Sequence, residues 1–205
     1  MKFIVFEGID GSGKSSALLA VKKHLDSVGV SYMEMRHPGG TLVGESLRKI
    51  IKTCTMSPES EVHLFAASFK EAIDQVVHTG KVDVLLCDRW IYSTYAYQSA
   101  GRGLQQEKVT EILKGVIEVT PDALILFDCS SRVAGERTAQ RGEKDKFERE
   151  GATFQERVCQ SYLSQIMALK GVIPVTAIID TEKSDRVETA ANAVRVVDQV
   201  LGRSR

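Results

Sequence analysis

The residues that most constrain this fold are Gly8-Ile9-Asp10-Gly11-Ser12-Gly13-Lys14-Ser15. They fit the pattern G-x-x-x-x-G-K-[ST], with an apolar run over 3–6 before them and an amphipathic pattern over 16–28 after them. A strand that ends in a glycine-rich turn and feeds a helix aims backbone N–H groups at phosphate oxygens. Glycine lets the chain curl, and the helix start adds partial positive charge. In such a loop Lys14 reaches the β- and γ-phosphates and Ser15 offers its hydroxyl to Mg²⁺. The stretch from Gly8 to Ser16 is read as the site of a nucleoside triphosphate. A glycine-rich turn without a ligand is the plainer alternative. Lys14 is expected to be an exposed loop cation whose removal leaves the fold intact.

Four further short apolar runs, over 32–35, 82–87, 123–127 and 175–179, are nearly continuous rather than alternating. Such runs suit strands buried on both faces. Helical patterns lie between and after them, over 14–28, around 44–52, and over 59–78, 105–119, 131–170 and 185–201. This alternation predicts an α/β protein: a five-stranded parallel sheet flanked by helices. No linker or repeat divides the 205 residues, so a single domain over 1–205 is expected.

Lys plus Arg is 27 and Asp plus Glu is 27, so the formal net charge is zero. No global charge steers the chain to nucleic acid or an anionic membrane, and positive charge for phosphate must be local. Cys54, Cys87, Cys129 and Cys159 form no CxxC pair, and Cys87 and Cys129 end apolar runs as small hydrophobes. This usage fits a reducing compartment. The first apolar run is too short for a signal peptide and Glu7 interrupts it, so a cytoplasmic protein is expected.

Asp88-Arg89 ends the run over 82–87. Ligands of an open parallel sheet sit outside the carboxyl ends of its strands, so this pair belongs at the binding edge. Arg89 can fork onto a phosphate, and Asp88 can hold a Mg²⁺-bound water. A buried Asp–Arg pair is the competing reading. The chain lacks the Asn-Lys-x-Asp of a guanine reader, and its small size points to a small-molecule kinase. Residues 137–150 crowd charges of both signs. They read either as a solvated edge or as a lid that closes on a phosphate-bearing substrate.

The stretch from Asp88 to Gly103, D-R-W-I-Y-S-T-Y-A-Y-Q-S-A-G-R-G, resembles the bacterial-type thymidylate kinases, whose signature is close to D-R-x-x-x-S-x-x-A-Y-Q-x-x-G-R-G. Arg36-His37-Pro38-Gly39-Gly40-Thr41 is similar to that family's R-E-P-G-G-T, with His37 in place of Glu. Leu47-Arg48 and the helix start Leu64-Phe65-Ala66-Ala67 also match family segments. The resemblance implies a P-loop nucleoside-monophosphate-kinase fold with a lid, acting on ATP and dTMP with Mg²⁺, and a homodimer. It places Arg48 and Arg89 on the acceptor phosphate. Ser93 and Gln98 face the base, with Phe65 packed near it. Tyr97 lies where a 2′-hydroxyl would project, and Asp10 contacts the sugar or positions the acceptor.

The family has two types, distinguished by a basic residue inside the phosphate loop or by arginines in the lid. Gly11 resembles the second type. Arg137 and Arg141 then match lid arginines, Arg141 being the catalytic one, and Lys146 stands where another arginine is common. Phosphoryl transfer needs positioning and charge neutralisation, which a closing arginine supplies. The chain departs from the family's F-x-A-x-R pattern at Phe69, the position of an arginine that contacts the base. Looser base selectivity is therefore expected, as in a viral or phage kinase that also accepts a 5-substituted deoxyuridylate. The other readings are a kinase for another pyrimidine deoxynucleotide and a non-catalytic nucleotide-binding switch.

Overall fold

The computed structural model describes residues 1–139, 146, 147 and 149–203. Strands β1 (Lys2–Glu7), β2 (Tyr32–Arg36), β3 (Val84–Asp88), β4 (Ala123–Asp128) and β5 (Val175–Asp180) form one parallel sheet in the order β2-β3-β1-β4-β5. Phe6 on β1 lies opposite Asp88 on β3 and Ile125 on β4. The loops after Glu7 and after Asp88 therefore leave the sheet side by side at its carboxyl edge, where such sheets bind ligands.

The continuous apolar runs divide between two faces because successive strand residues point opposite ways. Ile4, Phe6, Val84, Leu86, Ile125 and Phe127 face helices α1 (Lys14–Ser27) and α8 (Arg186–Val200) through Leu18, Val21, Leu25, Ala193 and Val197. Phe3, Val5, Leu85, Cys87, Leu124 and Leu126 face the other way. There they meet α3 (Pro58–Ala72), the segment after β3, and α7 (Ala152–Ala168) through Val62, Phe65, Phe69, Trp90, Val158 and Tyr162. Burial on both faces holds for β1, β3 and β4 but not for β2 and β5. These are the edge strands, and Met33 and Ile178 stand exposed on them.

One helical pattern is corrected. The pattern over 131–170 holds two helices, α6 (Ser131–Thr138) and α7, with most of the charge run over 137–150 between them. The pattern over 105–119 shortens to α5 (Gln106–Leu113), and Gly115 follows at φ +82. The pattern over 59–78 is α3 extended by a wider helical turn, Ile73–Val77, and α2 (Leu42–Thr53) matches the pattern around 44–52. After β3 the chain forms a short helix, α4 (Ile91–Thr94), and a second wide turn, Tyr95–Gly101. Among the described residues no helix is long and apolar enough to cross a membrane.

Candidate active site

The phosphate loop joins β1 to α1, and Gly13 precedes the first turn of α1 at φ +90. Lys14 is not the exposed cation expected: it is 6 % exposed, and its Nζ donates to the carbonyls of Gly8 (2.7 Å) and Ile9 (3.2 Å). Burial and the Arg89 charge lower its pKa, against Asp88, Asp10 and Glu7. Ser15 and Ser16 are exposed on the same turn. Gly11, at φ +86, packs under α6, and a Cβ there would lie 2.5 Å from the Ala134 carbonyl oxygen. A basic side chain at this position is sterically excluded, so further positive charge at the loop must come from other elements.

Arg89 follows β3 in the left-handed backbone region, at φ 70. A residue with a Cβ pays of order 1–3 kcal/mol for such a conformation and persists there only when its surroundings over-determine it. Here they do. The backbone N–H donates to Phe6, and the guanidinium donates to Asp10 Oδ1 (2.8 Å), the Tyr162 hydroxyl (3.1 Å) and Ser93 Oγ (3.3 Å). Its carbon sits 5.4 Å from the Tyr97 ring centroid. Burial disfavours the Arg89 charge, but Asp10, Tyr97, Tyr162 and Asp88 outweigh it and raise the pKa. Burial likewise opposes the Asp10 charge, and Arg89 and Lys14 override it and push that pKa down. Asp88 carries a buried carboxylate oxygen with no hydrogen-bond partner among the described residues.

Beside this pair opens a cavity walled by side chains from four elements. Arg48 and Lys52, one turn apart on α2, bring two cations toward Arg89. Arg48 also donates to the Pro38 carbonyl at 2.8 Å, and burial, then Arg36, lowers its pKa. Phe65 and Tyr97 supply aromatic faces, and Ser93, Thr94 and Gln98 supply polar ones. Phe69 is corrected: it is 0 % exposed and does not line the cavity. Its ring stacks on His37 at a centroid distance of 3.6 Å, and His37 is the residue that forms the wall. Burial, followed by the Arg48 charge, depresses the His37 pKa and keeps the imidazole neutral.

Sequence reasoning missed three groups that hold the site together. Glu7 is 1 % exposed and accepts from the Trp90 and Ser93 backbone N–H groups (2.8 and 3.1 Å) and from Ser93 Oγ (2.7 Å). It anchors the chain after β3 to the chain after β1, and burial raises its pKa despite Arg89. A carboxylate ending an apolar strand just before the glycine loop was its signal. Tyr162 on α7 shares its hydroxyl between Arg89 and Ser93 (2.7 Å to the latter), so Ser93 Oγ is engaged within the protein. Only the inward spacing Phe154, Val158, Tyr162 marked it, and that spacing reads as core. The third group, Glu61, is fully buried on α3.

On the other side of the loop, Arg137 at the end of α6 donates to the Thr181 carbonyl at 2.7 Å and to the Gly11 carbonyl at 3.3 Å. It lines a cleft with Gly11, Gly13, Ser16 and Thr181. Arg141 lies outside the described residues. Lys146 is described, and its Nζ donates to Glu61 (2.6 Å) and to the Cys54 carbonyl (2.9 Å).

One sheet edge thus carries a cavity walled by Arg48, Lys52 and Arg89 and, on the other side of the loop, a cleft walled by Arg137. The family profile described as thymidylate kinase matches residues 6–190. A thymidylate kinase of Idiomarina loihiensis is 35 % identical over 206 residues, covering 98 % of this chain and 98 % of that one. One from Pelotomaculum thermopropionicum is 35 % identical, covering 100 % of this chain and 98 % of the relative. The crystal structure of a thymidylate kinase from Ehrlichia chaffeensis superposes with a TM-score of 0.71 at 26 % identity, covering 96 % of this chain and 98 % of that one. Sequence and fold agree over nearly the full length, and the chain belongs to the thymidylate kinase family of nucleoside monophosphate kinases.

Proposed function

We propose that the chain transfers the γ-phosphoryl group of ATP to dTMP, giving ADP and dTDP by direct in-line displacement. The observation that carries this is the cation-walled cavity of Arg48, Lys52 and Arg89 directly beside the phosphate loop, with Asp10 shared between them. ATP phosphates lie on the loop from Gly8 to Ser16, and Lys14 exchanges its carbonyl bonds for phosphate oxygens. Arg137 closes the far side of the donor cleft. Arg48 and Arg89 hold the acceptor phosphate, with Asp10 keeping the Arg89 fork in place. Phe65, Ser93 and Gln98 surround the base, and Tyr97 fills the space of a 2′-hydroxyl. Arg141, brought by the lid over 137–150, neutralises charge on the transferring group.

The residues present fit Mg²⁺, which takes few protein ligands besides substrate phosphates. The orphaned buried oxygen of Asp88 and the exposed hydroxyl of Ser15 are the groups that would hold it, directly or through water. The ion would neutralise phosphate charge. The chain is proposed to act as one cytoplasmic domain and to pair as a homodimer, for which the exposed Leu42, Val43 and Ile50 of α2 offer an apolar surface.

The test is ADP release from ATP against a panel of deoxy- and ribonucleoside monophosphates, with and without a chelator. ADP should form with dTMP, should require the divalent ion, and should fall sharply for the ribose counterpart. No ADP formation with dTMP refutes the proposal.

A further inference from the structure

None of the steps above uses Glu61. It has no exposed surface, and a buried carboxylate is costly unless paired. Among the described residues, three side chains meet it. Gln98 Nε2 donates to Oε2 at 3.2 Å, Lys146 Nζ donates to Oε1 at 2.6 Å, and Arg102 Nε stands 3.5 Å from Oε2. One carboxylate thus joins α3, the wide turn after α4, and the segment after α6. Stability is a weak reason to keep it, because apolar replacements of buried ion pairs are often neutral or stabilising.

Gln98 is the informative partner. A carboxylate only accepts hydrogen bonds, so the amide must turn its NH₂ toward Glu61. Its carbonyl oxygen is then committed to the other side. Gln98 lines the acceptor cavity, and this Oε1 is buried with no hydrogen-bond partner among the described residues. A buried acceptor left unpaired calls for a donor on whatever fills the cavity.

We propose that Glu61 is a positioning residue that locks the Gln98 amide with its carbonyl toward the acceptor base, so that the cavity selects a pyrimidine carrying N3–H. Thymine and uracil present that donor between two carbonyls, whereas cytosine presents a lone pair at N3. A free amide could turn over and donate to cytosine; one tied to a carboxylate cannot. This rests on the proposed pyrimidine deoxynucleotide acceptor with Gln98 at its base, and adds what fixes the sense of the Gln98 amide.

The test is Glu61→Gln, because a glutamine can donate or accept and so releases the Gln98 amide. The kcat/KM ratio of dTMP to dCMP should fall by about ten- to hundredfold. Glu61→Asp, which keeps an acceptor-only group, should retain most of the ratio. A merely structural Glu61 would lower both acceptors alike, and an unchanged ratio in Glu61→Gln overturns the inference. The wild-type chain supplies a readout that survives a variant failing to fold: N3-methyl-dTMP lacks the donor and should compete at least about tenfold more weakly than dTMP. Equal competition overturns the inference. A wild type inactive on dTMP removes the proposed function and this inference together; an active wild type with an unchanged variant ratio removes only the role of Glu61.

Discussion

Phe69→Arg restores the residue type of the family's F-x-A-x-R pattern, yet in this chain it should destabilise the protein rather than sharpen its base recognition. Phe69 is 0 % exposed, with its ring 3.6 Å from His37 and 4.8 Å from Trp90, centroid to centroid. Losing the ring removes about 1.5–3 kcal/mol of burial. A guanidinium left there meets aromatic rings and, beyond His37, the like charge of Arg48. An uncompensated buried charge costs about 3–5 kcal/mol, and the arginine stem recovers part of the packing. The net loss should be about 4 kcal/mol. At about 2–4 °C per kcal/mol for a chain of this size, Tm should drop by roughly 8–16 °C. The family's Glu stands where this chain has His37, so His37→Glu supplies a carboxylate in contact with position 69. The double variant should therefore be more stable than either single one, with a coupling of at least about 2 kcal/mol. Thermal and urea unfolding of the four proteins measures this cycle. A Phe69→Arg protein within about 1 kcal/mol of wild type, or strictly additive effects, would refute the reasoning.

Lys14→Ala should lower kcat by far more than tenfold, since a cation on the transferring phosphate contributes several kcal/mol; retention of more than about a tenth of wild-type kcat would remove the phosphate-loop assignment. The same variant should also unfold slightly more easily, by about 1 kcal/mol, because Nζ ties the Gly8 and Ile9 carbonyls. Arg141→Ala should reduce kcat strongly with little change in the KM for dTMP, whereas Arg89→Ala should weaken acceptor binding as well; an unchanged kcat in Arg141→Ala would leave the charge run a solvated face. For His37, whose folded pKa lies below 6.5, the unfolded chain binds the extra proton, so stability falls as pH drops below about 6.5, by up to about 1.4 kcal/mol per unit. His37→Gln should flatten that slope between pH 7 and 5 in urea titrations, and an equally steep slope would mean that another group carries the acid sensitivity.

The sheet was legible because its strands carry their own signal. Phe3-Ile4-Val5-Phe6 and Ala123-Leu124-Ile125-Leu126-Phe127 have no polar face, so helices must cover both sides. The edges were less legible: residues 175–179 read like a central strand, but their exposure depends on having one neighbour rather than two. The break between α6 and α7 shows the same limit, since local charge marks a weak helix without saying where packing resumes.

The phosphate loop and the Asp88-Arg89 turn were visible in the sequence by themselves, because their chemistry needs particular residue types at short spacings; Arg48 was reached only through the family resemblance. Backbone curvature at Gly8, Gly11 and Gly13 and the helix start at Lys14 are local properties, and eight consecutive residues contain them. The tertiary structure alone decided what lies between distant segments. It put Phe69 against His37 instead of the base, buried Lys14, and gathered Glu7, Tyr162 and Glu61 behind Arg89, Ser93 and Gln98. Those long-range pairings span from 32 residues, between His37 and Phe69, to 86, between Glu7 and Ser93. A hydrogen bond or a ring stack depends on distance in space, and no local pattern encodes which buried carboxylate will face which donor.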